Sequence, residues 1–66
     1  MSNPHIERVK VEEYELSDKI TKLNAFIHGP VFPQLSRNER RLLTQQYYAM
    51  QVYRETLMMR IEAAEQ

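Results

Sequence analysis

The chain has 66 residues, 9 Lys plus Arg balanced by 9 Asp plus Glu, and no cysteine. A chain this short makes one domain at most and buries too little apolar surface to be comfortable alone, with no disulfide to staple it. Zero net charge argues against a protein that coats DNA or RNA, and with no long apolar run and no signal-peptide pattern the expectation is a reducing cytoplasm without a membrane span.

The first helix is expected to start at Asn3-Pro4, because Asn is a good N-cap and Pro is tolerated where its missing amide would be unpaired anyway. From there Ile6, Val9, Glu13, Leu16, Ile20, Leu23 and Ile27 alternate spacings of three and four, and only Glu13 breaks the apolar set. Acidic residues crowd the first half and Lys19 and Lys22 follow, an order that suits the helix dipole and permits Glu15–Lys19 and Asp18–Lys22 pairs. Each such exposed pair is worth about 0.3–0.5 kcal/mol, enough to tune the helix and too little to decide the fold.

Gly29 is the only glycine, and Pro30 follows it, so the first helix should stop near residue 28 on a left-handed glycine cap. Residues 29–35 form a connector stiffened by Pro30 and Pro33. Val31 and Phe32 are apolar enough to fold back as a plug at the hairpin end.

Ser36-Arg37-Asn38-Glu39 has the form of a capping box, which starts a second helix over about 37–64. Leu43, Met50, Leu57 and Ala64 recur every seven residues with Gln46, Tyr53 and Arg60 midway, while Tyr47 and Ile61 widen the stripe. Tyr48, Val52 and Met59 point well away from that seam. With Tyr14 and Phe26 they would stay wet on a lone hairpin. The expectation is therefore all-α: residues 1–66 as a single helical domain, a hairpin of two long amphipathic helices assembling into a homo-oligomeric bundle.

The chemical inventory is thin. No Ser stands in a nucleophile elbow, there is no glycine-rich phosphate loop, and His5 and His28 lie at opposite ends of one helix, so neither enzymatic activity nor a metal or other cofactor is expected. Glu12 and Glu13 are adjacent on a helix and project in different directions, which suits a solvated face better than an acid/base pair. One constellation concerns anions: Arg8, Lys22 and Arg60 are cations on or near apolar faces, and Arg60 falls at a seam position where a charge is costly unless paired. It could pair with Glu13 of another copy. Alternatively, packing of several copies could bring Arg8, Lys22 and Arg60 around a phosphate, with Tyr14 or His5 stacking on a nucleobase. Arg37, Arg40 and Arg41 form a separate basic patch, most simply a solvated face.

The run Pro4-His5-Ile6-Glu7-Arg8-Val9, then Tyr14-Glu15-Leu16, Lys19-Ile20, Lys22-Leu23 and Phe26-Ile27, a short loop, and Leu42-Leu43, Gln45-Gln46, Met50, Tyr53, Leu57 and Arg60-Ile61 resembles a family of small phage helical proteins first annotated in crAss-like phages. That family includes anti-CBASS sponges, helical hexamers that sequester cyclic di- and trinucleotide immune messengers without cleaving them. The resemblance implies evasion of host defence in the bacterial cytoplasm, with a cyclic oligonucleotide and further copies of the chain as partners and no DNA, RNA or membrane. It also implies ligand contacts at protomer interfaces, from an aromatic and basic residues near the first helix and an arginine late in the last. Lys22 and Arg60 fall at such positions; Arg8, Tyr14 and His5 are the further candidates, and no aromatic precedes His5. The competing reading is a structural or adaptor oligomer whose exposed stripe captures a host protein.

Overall fold

The computed structural model describes residues 3–65. They form an antiparallel helical hairpin with no strand: α1 over Pro4–Ile27, a single 3-10 turn over Phe32–Gln34, and α2 over Arg37–Ala64, in a rod of 51 × 15 × 14 Å. Residues 1, 2 and 66 of the expected domain lie outside the described residues.

Each helix starts on a side-chain cap. Asn3 Oδ1 accepts from the His5 amide at 3.1 Å, Pro4 occupies the first turn, and Glu7 puts an acid beside the positive end of the dipole. Ser36 Oγ accepts from the Glu39 amide at 3.1 Å, the first half of the capping box; the reciprocal bond from the Ser36 amide to the Glu39 carboxylate is not among those formed.

The end of α1 departs from expectation. Gly29 does not adopt positive φ. The last turn tightens instead, with the Gly29 amide donating to the Phe26 carbonyl at 3.1 Å, while the His28 amide and its Nδ1 both donate to the Asn24 carbonyl at 3.1 and 2.8 Å. Those bonds satisfy the terminal carbonyls without a left-handed residue. What glycine provides is close approach, since a Cβ there would meet the Ala25 and Phe26 carbonyl oxygens at 3.3 and 3.4 Å. In the connector, Gln34 bonds back to Val31 and Pro30, and Leu35 to Phe32. Phe32 tucks partly in, whereas Val31 stays exposed, so the expected plug is one residue and not two.

The core is a single seam. Ile6, Val9, Leu16 and Ile20 of α1 and Leu57 of α2, which is 0% exposed, form one buried cluster, with Tyr47, Met50 and Ile61 packed against it. The α1 stripe is the expected one. On α2 the seven-residue repeat Leu43–Met50–Leu57 also faces inward, but the positions between are Tyr47, Arg54 and Ile61; Gln46, Tyr53, Arg60 and Ala64 are exposed. Rotating the seam by one residue, about 100°, buries Tyr47 and Ile61 and leaves Gln46 in water.

A seam this thin covers little. The chain exposes 5337 Å², whereas a compact monomer of 7.9 kDa is expected to expose about 4,400 Å². Much of the surplus is apolar: Tyr14, Tyr48, Val52 and Met59 are 76, 63, 62 and 61% exposed. No helix among the described residues is long and apolar enough to cross a membrane.

Candidate functional site

The rotation of the α2 seam redistributes the charges. Arg54, not Arg60, faces Glu13, and its Nε donates to Glu13 Oε1 at 3.1 Å with both side chains partly shielded. The single acid in the α1 seam is thus neutralised within the chain, so it is not there for the expected intersubunit pair with Arg60. A charge in a seam is tolerable only with such a partner, which is why the rotation is affordable at position 54.

Arg60 lies on the rim at the open end of the hairpin. Its Nη2 is 3.1 Å from His5 Nε2. A guanidinium can only donate, so Nε2 is the acceptor in this contact. The contact fixes the side chain without cancelling its charge, and no carboxylate reaches Arg60 or Arg8 within ion-pair distance among the described residues. Arg8 lies three residues past His5, the neighbouring turn of the same side of α1. Three of the five expected site residues therefore gather at one end of the rod.

Across the seam from this cluster, Lys10 Nζ reaches Glu65 Oε1 at 2.9 Å and Glu7 Oε1 at 3.7 Å. The hydrogen bond to Glu65, with the attraction of Glu65 and Glu7 added, holds the Lys10 ammonium above its ordinary range. The open end is clasped on both flanks.

The other two expected residues form a separate group. Tyr14 lines a shallow dent with Ser17, Asp18 and Thr21 on the outer side of α1. Asp18 binds Lys22 Nζ at 3.0 Å, and Tyr14, Asp18 and Lys22 make one row at four-residue spacing. Lys22 is 14 residues beyond Arg8, about 21 Å along the axis. One copy cannot place Arg8, Arg60 and Lys22 around a single phosphate.

At the start of α2, Arg41 Nη2 donates to Asn38 Oδ1 at 3.0 Å, and Arg37, Asn38 and Arg41 line an open concavity. Arg40 is half-buried and its Nε has no partner. No group of three or more His, Cys, Asp or Glu side chains among the described residues is placed to hold a metal ion. Sequence reasoning missed Arg54; the signal was present in Tyr47 and Ile61, which share its spacing.

Comparison with curated proteins and with solved structures returns no match. A protein-family model does match, and it spans residues 3–63, both helices and the connector between them. The chain belongs to the Sequestin family.

Proposed function

We propose that the protein is a phage anti-defence sponge: it binds cyclic di- or trinucleotide messengers of CBASS immunity in the host bacterial cytoplasm and holds them uncleaved, so that the downstream effector stays off. The name of its family is consistent with sequestration. The observation that carries the reading is Arg60, an exposed guanidinium 3.1 Å from the His5 ring, with no carboxylate within ion-pair distance among the described residues. An arginine so arranged keeps its fork for phosphate oxygens. The adaptor reading needed Arg60 to be a seam ion pair with Glu13, and Arg54 has that role instead.

Binding requires further copies, ultimately a hexamer. Arg8 and Arg60 of one copy supply one end of a pocket, Lys22 of another supplies a second phosphate contact, and Tyr14 or His5 stacks on a base. No cofactor takes part. A sponge removes one messenger per site, so it must bind tightly; a nanomolar dissociation constant corresponds to about −12 kcal/mol.

Calorimetry with cyclic dinucleotides tests this. Arg60→Met and Lys22→Ala each remove a charged hydrogen bond and should weaken binding about tenfold to a hundredfold with the assembly intact. Unchanged affinity in both variants would overturn the assignment.

A further inference from the structure

The back of α2 carries a second seam that α1 does not use. Arg41, Gln45, Tyr48, Val52, Glu55, Met59 and Glu62 follow one another at alternating spacings of four and three, the 3.5-residue period of a helix–helix contact. All seven are exposed. The Tyr48 ring stands edge-to-face on Tyr47 at 5.5 Å between centroids, and a tyrosine has only two side-chain torsions to order on docking.

We propose that this face binds the same face of a second copy, with the two α2 helices antiparallel about a two-fold axis at the level of Met50. The inference rests on the self-association assumed for the sponge and says which surface accomplishes it. Charge chooses the partner and its direction. About that axis residue i lies opposite the partner's residue 100 − i, so Tyr48 and Val52 meet the partner's Val52 and Tyr48. Arg41 falls level with the partner's Met59, one turn from each of the partner's Glu55 and Glu62. The symmetry repeats every contact, giving two basic starts against two acidic ends. A parallel pair would stack Arg41 on its own copy and Glu55 and Glu62 on theirs, opposing like charges throughout.

The area agrees. The chain exposes about 900 Å² more than a compact monomer of its mass, and a standard interface buries about 800 Å² per partner. The pairing also sets the turn end of one rod beside the open end of the other, so the partner's Lys22 lies near the axial level of Arg60.

The chain has no native cysteine, which makes disulfide mapping direct. Full-length Gln45→Cys and Glu55→Cys chains, mixed and gently oxidised, should give the 45–55 heterodimer in large excess over either homodimer. In the antiparallel register two copies of position 45 stand about 15 Å apart, too far for a disulfide. Homodimers alone, or no cross-link while sedimentation still shows an oligomer, would overturn this interface and leave the sponge to another surface. Charge reversal supplies a second readout: Arg41→Glu should weaken self-association about tenfold or more with helicity unchanged, and adding Glu62→Arg should restore it. No loss, or loss without rescue, would also overturn the proposal. Ligand affinity is read separately by calorimetry, so failure of nucleotide binding with the cross-link intact would remove the sponge and keep the interface.

Discussion

Leu57 and Arg54 show how much one side chain decides in a core this narrow. Leu57 is the only fully enclosed side chain among the described residues and the one α2 member of the buried cluster. Leu57→Ala should cost about 2–5 kcal/mol, read as a lowered urea midpoint, because a rod with one seam has little with which to refill the cavity. Arg54 behaves differently: Arg54→Ala leaves the Glu13 carboxylate partly buried without a partner, whereas the double change Arg54→Met with Glu13→Leu should be neutral or stabilising. A double variant less stable than either single one would contradict the assignment of this pair as tolerated and not required. At the open end, the Lys10 contact has a definite alkaline signature. Its ammonium is held above the ordinary range chiefly by Glu65, so the contact contributes below the ordinary lysine value and is lost as pH rises through the raised one. Circular dichroism should therefore show the last turn of α2 fraying at high pH, and Lys10→Met should abolish that step.

At the scale of the elements, the caps and the α1 stripe were legible because each depends on local chemistry. Asn3-Pro4 and Ser36 needed no tertiary knowledge, and Ser36→Ala should cost about 1 kcal/mol by thermal melting. Gly29 was misread in mechanism: glycine before proline suggests a left-handed cap, but a tightened last turn and the His28 ring on the Asn24 carbonyl end the helix instead. Gly29→Ala should cost about 1 kcal/mol, from the two carbonyl oxygens its Cβ would meet at 3.3 and 3.4 Å and not from backbone strain, since Gly29 does not have positive φ. The α2 seam was legible only in its seven-residue repeat. Leu43, Met50 and Leu57 fit intermediates at 46, 53 and 60 as well as at 47, 54 and 61. The choice fell to burying Tyr47 and Ile61, at the cost of an arginine that only Glu13, 41 residues away, makes acceptable. That is a long-range fact, and it is also why Arg60 moved from the seam to the rim and from ion pair to candidate phosphate ligand.

At the scale of the whole molecule, two rods with one seam between them leave a surface that water covers poorly. The proposed assembly would cover it and would make stability a function of concentration: the melting temperature should rise as the protein is made more concentrated, and a constant value would count against assembly. The separation of Lys22 from the Arg8–Arg60 end has the same consequence for function, since only different copies can put these cations around one small anion. The most direct measurement is native mass spectrometry of the purified chain with a panel of cyclic di- and trinucleotides. The account predicts an oligomer carrying a whole number of intact cyclic molecules; a bare monomer, or an oligomer that takes up none of them or releases them cut, would contradict it.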